Sequence, residues 1–218
     1  MIDDAPKIRV ADDFRRPRPD QLAALHGVPT GFVVDALAGS GGLDYRIKPV
    51  VTGQHAFCGP AVTCRAGPAD NLAVFAALVH LQPGDVIAAA ADGHTGCAIT
   101  GDLLLGMARN CGAAAFVTDG CVRDVPGIRD VGLPCFAAGV TPNSPAREGP
   151  GTVGLPIVLA GVAIATGDIL IGDQDGVVVV PFDRIDETIA RLDKVRAAEA
   201  ELDAKVKAGL RLPPFLKG

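Results

Sequence analysis

The alternation of apolar and polar residues predicts helices and strands that follow one another along most of the chain. Short apolar runs bounded by glycine, proline or aspartate are typical of strands, whereas apolar residues spaced three and four apart indicate one face of a helix. Helices are expected at 20–26, 31–38, 102–111 and 183–207, with a further helix after Asp70. Strands are expected at 47–52, 61–65, 86–91, 113–118, 161–165, 169–172 and 177–180, with another beginning in 132–136. This order predicts one mixed α/β domain.

The sequence also predicts where helices begin and which faces they bury. Four residues each stand at the start of a segment of helical periodicity, so each is expected to cap a helix: Asp20, Thr30, Asp70 and Asp183. Segment 141–154 is rich in glycine, proline and polar residues and is expected to be an irregular loop. The apolar face after Asp70 is expected to consist of Leu72, Phe75, Ala76 and Val79, and that of helix 102–111 of Leu104, Met107, Ala108 and Cys111.

The stretch 101–124 combines a helix, a strand and turns with three charged side chains. A glycine at 112 should stop the helix, the pair 119–120 should form a turn, and the pair 126–127 should form another. Folding the strand back along the helix would bring Asp102, Arg123 and Asp124 into one small volume. Two carboxylates beside a guanidinium suit a hard cation and a small anion. A structural ion pair between Arg123 and Asp124 is an alternative explanation of their adjacency.

The start of helix 102–111 offers backbone donors to an anion. Its first N–H groups, on residues such as Leu103 and Leu104, have no intrahelical acceptor. The helix dipole favours a bound anion there by roughly 0.3–1 kcal/mol, so a small carboxylate substrate would fit. Asp102 competes for the same positive end unless a divalent cation lies nearby.

A carboxylate interrupts the apolar seam of the C-terminal helix. Glu199 lies seven residues from both Leu192 and Val206, which belong to that seam. An unpaired buried carboxylate is costly. Either Glu199 is at a rim and reaches water, or the helix packs on a neighbouring subunit and directs Glu199 towards a charged site.

Composition limits the class of protein. The net charge of −5 argues against non-specific nucleic-acid binding. No secretory signal or membrane span is expected, and six cysteines without a C-x-x-C pair are typical of reduced thiols in a cytoplasmic protein. We expect a flexible N-terminal arm at 1–19, an α/β domain at 20–182, and a C-terminal helix and tail at 183–218.

The candidate ligands favour magnesium or manganese over zinc. Magnesium takes one or two protein carboxylates and keeps several waters, so Asp124 alone could tether it. No cluster of histidine and cysteine with zinc spacing is present. His94, in a glycine-flanked loop before the central stretch, is a candidate to line the site.

The central stretch resembles that of the RraA-like proteins, which include the class II 4-hydroxy-4-methyl-2-oxoglutarate / 4-carboxy-4-hydroxy-2-oxoadipate aldolases. The shared motif is D-x20-R-D, formed here by Asp102, Arg123 and Asp124 within the segments GDLL and DGCVRD. Further matches are DAL at 35–37, PGD at 83–85, GVTP at 139–142 and GDQDGVVVVP at 172–181. The resemblance covers about residues 28–200.

The resemblance implies a swivelling ββα-type layered fold, assembled as a homotrimer or a dimer of trimers, with the C-terminal helix packed on a neighbouring subunit. It implies Mg²⁺ or Mn²⁺ held by Asp124 largely through waters, to which Asp102 and the Glu199 of an adjacent subunit would hydrogen-bond. The groups implied to contact a small oxo-acid substrate are Gly101, the backbone amides of Leu103 and Leu104, and the side chain of Arg123.

The reaction implied is the retro-aldol cleavage of a 4-hydroxy-2-oxo acid to pyruvate and a second oxo acid. A base aligned by Asp102 would remove the 4-hydroxyl proton, and the metal and Arg123 would stabilise the pyruvate enolate. Oxaloacetate decarboxylation passes through the same enolate and is expected as a side activity. Two alternatives remain: an RraA-type regulator that binds and inhibits a ribonuclease, and a metal-dependent decarboxylase or lyase acting on another oxo acid.

Overall fold

The computed structural model describes residues 7–216. Its helices are α1 (Pro19–Leu25), α2 (Thr30–Ala36), α3 (Leu72–Ala77), α4 (Asp102–Asn110), α5 (Val125–Val131) and α6 (Ile185–Lys207), with 3-10 turns at Leu78–His80, Phe182–Arg184 and Pro214–Leu216. Its strands are β1 (Ile8–Val10), β2 (Lys48–Pro49), β3 (Phe57–Arg65), β4 (Val86–Ala90), β5 (Ala98–Thr100), β6 (Ala115–Thr118), β7 (Cys121–Val122), β8 (Cys135–Ala137), β9 (Gly139–Val140), β10 (Gly151–Val153), β11 (Ile157–Leu159), β12 (Val162–Ile164), β13 (Ile169–Asp173) and β14 (Gly176–Val180).

The main sheet has nine strands and is organised around the long strand β3. The second half of β3 pairs in parallel with β4, which is followed by β6 and β8 in parallel and by β2 in the antiparallel direction. The first half of β3 pairs antiparallel with β13, and β13 with β14. Strand β4 is buried along its whole length, as expected for a parallel strand covered on both faces. The predicted mixed α/β fold with a C-terminal helix is confirmed.

A second, three-stranded parallel sheet, in the order β5-β7-β9, carries the central stretch. After β6, a bend at 119–120 moves the chain out of the main sheet and into β7. The buried Asp119 stabilises this bend, because its carboxylate accepts the N–H groups of Ala91 at 2.6 Å and Gly93 at 3.0 Å. The strand that delivers Arg123 is therefore β7, and not the predicted strand at 113–118.

Two segments expected to be irregular form regular elements. The pair Pro126-Gly127, expected to be a turn, lies in the first turn of α5, where proline is favoured because the first N–H groups of a helix lack acceptors anyway. The predicted loop 141–154 contains β10, which pairs with β1 and β3. Both elements depend on contacts with distant parts of the chain, which local composition does not reveal.

Three of the four predicted caps are wrong. Asp20 lies in the first turn of α1, which begins at Pro19 after Arg18. Thr30 is the first residue of α2, and its hydroxyl donates to the Asp173 carboxylate at 2.9 Å instead of capping its own helix. Asp183 lies in a 3-10 turn, and α6 begins after Arg184 without a side-chain cap. Asp70 does accept the N–H of Leu72, the first residue of α3, at 2.8 Å.

The predicted buried faces of α3 and α4 are rotated in the structure. Helix α3 buries Ala73, Val74 and Ala77, and Val79 is 82% exposed because the helix gives way to a 3-10 turn after Ala77. Helix α4 buries Leu105 together with the expected Leu104 and Ala108, whereas Met107 and Cys111 are exposed.

The segment assigned to the N-terminal arm packs on the domain from residue 7 onwards; residues 1–6 lie outside the described residues. Strand β1 extends the main sheet by pairing with β10. The Phe14 ring stacks on His80 with centroids 5.0 Å apart. Arg16 forms an ion pair with the buried Asp85, so this part of the chain is tied to the core.

Helix α6 packs on the body of the protein over only its first half. Ile185, Thr188 and Leu192 are buried, whereas residues 197–207 are exposed throughout, including Glu199 and the apolar Leu202. The exposure of Glu199 in the single chain fits both alternatives, a rim position that reaches water and a helix that packs on a neighbouring subunit. Within residues 7–216, each helix is too short or too polar to cross a bilayer.

Candidate active site

The charged residues of the central stretch lie at the ends of two adjacent parallel strands. Strands β5 and β7 pair with Thr100 opposite Val122. Asp102 follows Thr100 by two residues, and Asp124 follows Val122 by two, so both carboxylates emerge at the same edge of the small sheet. This edge, at the carboxyl ends of parallel strands, is the usual location of ligand sites in α/β folds. The strand register therefore accounts for the spacing of the motif.

Asp124 sits at a sharp change of chain direction. Its φ of 62° and ψ of 44° are left-handed, a conformation that aspartate tolerates better than most residues. This turn ends β7, begins α5 and brings the Asp124 carboxylate close to Gly101, where an added Cβ would lie 2.5 Å from Oδ2. The Gly101 backbone is extended, so the glycine provides space for the carboxylate, not conformational freedom.

Arg123 is held by three contacts. Its backbone N–H donates to the carbonyl of Thr100 at 3.1 Å, which continues the pairing of β5 with β7. Its Nε lies 3.3 Å from Asp124 Oδ2, and its Nη1 donates to Ser144 Oγ at 2.6 Å. The predicted Arg123–Asp124 ion pair is present, but both side chains remain partly exposed, at 39% and 47%, and face the cavity described below.

Asp102 begins α4 and lies between that helix and α5. Its Oδ1 accepts the N–H of Leu103 at 2.7 Å, so the expected competition of Asp102 for the helix N-terminus is observed. The other side of the carboxyl group faces Gly127, where an added Cβ would lie 2.6 Å from the Asp102 Cβ. Gly127 thus leaves the space that Asp102 occupies.

These side chains surround a single cavity of about 250 Å³. It includes every residue expected to contact substrate or metal in one chain: Gly101, Asp102, Leu103, Leu104, Arg123 and Asp124. Glu199 and His94 do not line it. His94 packs instead against Gly96, where an added Cβ would lie 2.8 Å from Nε2.

The structure adds wall residues that sequence reasoning did not assign to the site: Asn71, Phe75, Ala98, Thr100, Met107, Pro145 and Arg147. Asn71 and Phe75 come from the start of α3, and Arg147 from the segment predicted to be an irregular loop. In the sequence, the only indication of this part of the cavity was an arginine, Arg147, within a segment rich in proline and glycine.

Asp70 anchors the segment that carries Arg147. Its Oδ2 accepts the backbone N–H groups of Glu148 at 2.7 Å and Gly149 at 3.0 Å, while Oδ1 accepts that of Leu72. Burial by itself raises the pKa of the Asp70 carboxyl, but these N–H donors outweigh it and hold the pKa below its usual value. The loop is therefore fixed to α3 by a charged group.

The donor set suits a hard cation. Within residues 7–216, no three His, Cys, Asp or Glu side chains cluster as a ready-made metal site. The cavity offers Asp124 and Asp102, both oxygen donors and both open to solvent. Such a pair fits Mg²⁺ or Mn²⁺ with a largely water-filled coordination sphere and does not fit zinc.

The fold and this site define an α/β protein with a cavity at the ends of parallel strands that contains both aspartate and arginine side chains. The sequence profile of the RraA-like family, Aldolase/RraA, matches residues 30–179. The chain therefore belongs to the RraA-like family.

Similar proteins include both of the classes considered from the sequence. A protein of Halalkalibacterium halodurans, provisionally named 4-hydroxy-4-methyl-2-oxoglutarate aldolase, is 37% identical over 87% of this chain and 88% of its own length. Streptomyces coelicolor RraAS2, described as an unusual member of the RNase ES inhibitor RraA protein family, has a similar structure with a TM-score of 0.75 and 28% identity, covering 87% of this chain and 100% of its own. An uncharacterized Pseudomonas syringae protein has a TM-score of 0.77 at 25% identity, over 91% of this chain and 97% of its own.

Proposed function

We propose that this chain catalyses the divalent-metal-dependent retro-aldol cleavage of a 4-hydroxy-2-oxo acid, of the 4-hydroxy-4-methyl-2-oxoglutarate or 4-carboxy-4-hydroxy-2-oxoadipate type. The observation that carries the proposal is the convergence of Asp102, Arg123 and Asp124 on one cavity. The name of the Halalkalibacterium relative supports the same reaction. The cavity volume of about 250 Å³ suits a small acid, since drug-sized ligands occupy roughly 300–1,000 Å³.

In the proposed complex, the chain binds the pyruvyl half of the substrate with fixed donors. The substrate carboxylate lies at the start of α4, near the N–H groups of Leu103 and Leu104, and competes with Asp102 for the first of these. Arg123, oriented by Asp124 and Ser144, faces the 2-oxo oxygen. Because the Arg123 guanidinium is already positioned where negative charge develops, it stabilises the enolate more than the bound substrate.

The proposed cleavage requires a base that removes the proton of the 4-hydroxyl group. The 4-hydroxyl group loses its proton, C4 becomes a carbonyl, and the electron pair of the C3–C4 bond passes to the pyruvate enolate. We assign removal of the proton to a water molecule aligned by the Asp102 carboxylate. A proton from water then adds to C3 and pyruvate leaves. Loss of CO₂ from oxaloacetate generates the same enolate, so we propose this decarboxylation as a side activity.

Asp124, with Asp102 beside it, would hold Mg²⁺ or Mn²⁺ mainly through water. When bound, the cation would supply Lewis-acid stabilisation of the developing negative charge, worth several kcal/mol.

The proposal extends to an assembly of subunits. The exposed second half of α6 carries Glu199, which does not line the cavity of its own chain, together with Leu202 and Val206, which are 45% and 54% exposed. We propose that this half-helix packs on a second copy of the chain, in a homotrimer or a dimer of trimers of swivelling ββα-type subunits. Glu199 would then complete the site of the neighbouring subunit.

The test is a pyruvate-release assay coupled to lactate dehydrogenase, run over a panel of 4-hydroxy-2-oxo acids and oxaloacetate. We expect turnover with Mg²⁺ or Mn²⁺, loss of turnover after chelation, and recovery when the metal is restored. Arg123→Ala should abolish turnover without unfolding the protein. Turnover that persists after exhaustive chelation, or in Arg123→Ala, would contradict the proposal.

A ribonuclease regulator is the second candidate, favoured by the structural similarity to Streptomyces RraAS2. In that case the protein would inhibit RNA cleavage by a ribonuclease, and Arg123→Ala would leave inhibition unchanged. Pyruvate release from oxaloacetate alone, with none of the hydroxy-oxo acids cleaved, would instead identify a metal-dependent decarboxylase.

A further inference from the structure

The cavity contains two guanidinium groups, and within residues 7–216 only that of Arg123 has an anionic partner. Arg123 pairs with Asp124 on the wall formed by β7 and α4. Arg147 lines the same cavity from the segment between β9 and β10. Among the residues that the structure describes, no carboxylate lies within 4.0 Å of the Arg147 guanidinium. The cavity therefore has a positive group on this second wall that the proposed chemistry does not use.

Arg147 is held in position by its contacts. Its guanidinium carbon lies 4.2 Å above the centroid of the Phe75 ring, a cation–π arrangement. Its Nε donates to Asn71 Oδ1 at 3.4 Å, and the buried Asn71 in turn donates to the carbonyl of Ile99 at 3.2 Å. Stacking occupies the face of the guanidinium and leaves its terminal N–H groups free to bind an anion in the plane.

The backbone around Arg147 is also fixed. Ala146 donates to the carbonyl of Ala69 at 2.7 Å and accepts from Asn71 at 3.1 Å. Beyond Arg147, the next two N–H groups are bound by the Asp70 carboxylate. A loop tied on both sides of the arginine loses little conformational entropy when a ligand binds, so its affinity for an anion is preserved.

We infer that Arg147 is a specificity-determining residue that binds a second carboxylate of the substrate, the one carried beyond C3. This inference rests on the proposed function, which places the first carboxylate at the start of α4 beside Arg123. The site would then select 4-hydroxy-2-oxo acids with a carboxylate on C4 over those with an alkyl group or hydrogen there. Arg147 stabilises substrate binding and takes no part in proton transfer.

Ligand binding tests the inference without requiring turnover. 2-Oxoglutarate and 2-oxopentanoate have the same carbon chain and differ by the distal carboxylate. Calorimetric titration in the presence of Mg²⁺ should show about 10- to 100-fold tighter binding of 2-oxoglutarate to the wild type, the range expected for hydrogen bonds to a charged group. Arg147→Ala should abolish this preference and leave 2-oxopentanoate affinity unchanged. Arg147→Lys should restore part of it, because the charge remains while the planar fork is lost.

A matched control is Arg65→Ala, since Arg65 pairs with Asp92 and does not line the cavity. It should bind both acids as the wild type does. Equal affinity of the wild type for the two acids, or an unchanged preference in Arg147→Ala, would overturn the inference.

Turnover measurements distinguish a failure of the inference about Arg147 from a failure of the proposed aldolase function. With a 4-hydroxy-2-oxo dicarboxylate, Arg147→Ala should raise KM by about 10- to 100-fold with a smaller change in kcat. Exchange of the C3 protons of pyruvate in D₂O should be unaffected, because pyruvate has no second carboxylate. The wild type could prefer 2-oxoglutarate and yet neither release pyruvate nor exchange the C3 protons of pyruvate. That result would refute the aldolase proposal and leave the role of Arg147 intact.

Discussion

Gly127 in α5 faces Asp102 in α4 so closely that a Cβ atom at position 127 would lie 2.6 Å from the Asp102 Cβ and would overlap its carboxyl group. The two residues come from helices that each begin at the end of a strand of the small sheet. The distance between those helices, and with it the position of the Asp102 carboxylate, depends on the absence of a side chain at 127.

Gly127→Ala should therefore reduce turnover by at least ten-fold, because the methyl group displaces either the Asp102 carboxylate or α5. Gly106→Ala is the matched control, since a Cβ there meets only Val131 Cγ2 at 3.8 Å, an ordinary contact. In the interior of α4 this control should stabilise the protein by about 0.5–1 kcal/mol and leave the rate unchanged. Pyruvate release and thermal unfolding measure the two effects. Full activity in Gly127→Ala would show that the carboxylate position is not critical.

Ser144→Ala tests how the orientation of Arg123 affects catalysis. The hydroxyl of Ser144 accepts from Arg123 Nη1 at 2.6 Å, and the alanine variant loses this bond while the contact with Asp124 remains. A net hydrogen bond contributes about 0.5–1.5 kcal/mol, so kcat should fall roughly 2- to 12-fold. Ser40→Ala, which removes a hydroxyl bonded to the Leu37 carbonyl away from the cavity, is the control. Equal rates in the two variants would contradict this role of Ser144.

Glu199→Gln tests the shared site. The variant should lose turnover and keep its fold, because Glu199 is exposed within its own chain. The decisive measurement is a mixture of Glu199→Gln and Arg123→Ala subunits, co-expressed and purified together. If a neighbour supplies Glu199, a site is complete when a Glu199→Gln subunit contributes Arg123 and an adjacent Arg123→Ala subunit contributes Glu199. This holds for about a quarter of the sites in randomly mixed assemblies. Glu201→Gln, on the same exposed part of α6, should be fully active. A mixture that stays inactive would refute the shared site.

Arg16→Ala should destabilise the protein in a pH-dependent way. Asp85 is only 1% exposed, and burial raises the pKa of its carboxyl above the usual value of 3.8, although Arg16 partly opposes the rise. A raised carboxyl pKa means that the folded state binds the proton more tightly than the unfolded chain. Stability therefore decreases as pH rises from 3.8 through the folded-state pKa.

Without Arg16 the folded-state pKa of Asp85 rises further and the buried charge is uncompensated. Urea unfolding at pH 7 should show a loss of about 3–5 kcal/mol, and the loss should be smaller at pH 5, because the charged form of Asp85 becomes less favoured as the pH falls towards its raised pKa. Arg46→Ala, which breaks an exposed ion pair with Asp44, should change the unfolding midpoint little at either pH. A loss in Arg16→Ala that is the same at both pH values would contradict this account.

Elements with strong local periodicity could be predicted from the sequence alone. Helix α4 begins at the expected residue, Asp102, and strands β4, β6, β13 and β14 lie within one or two residues of their expected bounds. The charged set Asp102, Arg123 and Asp124 can also be identified from the sequence, because aspartate and arginine directly beyond apolar segments are conspicuous.

Other features depended on contacts between residues far apart in the chain. The helical state of Pro126-Gly127 follows from packing of α5 on α4, not from its turn-like dipeptide. Arg147 reaches the cavity because Asp70 binds backbone 78 residues away, at Glu148.

The sequence by itself determined the α/β class, the family and the residues of the central motif, since these depend on local periodicity and residue identity. Only the tertiary structure decided that Gly127 and Ser144 support those residues, that Arg147 adds a second cation, and that Glu199 does not line the cavity of its own chain. Hydrogen bonds and close contacts between distant segments leave no periodic trace in the sequence, so they become visible only when the chain is folded.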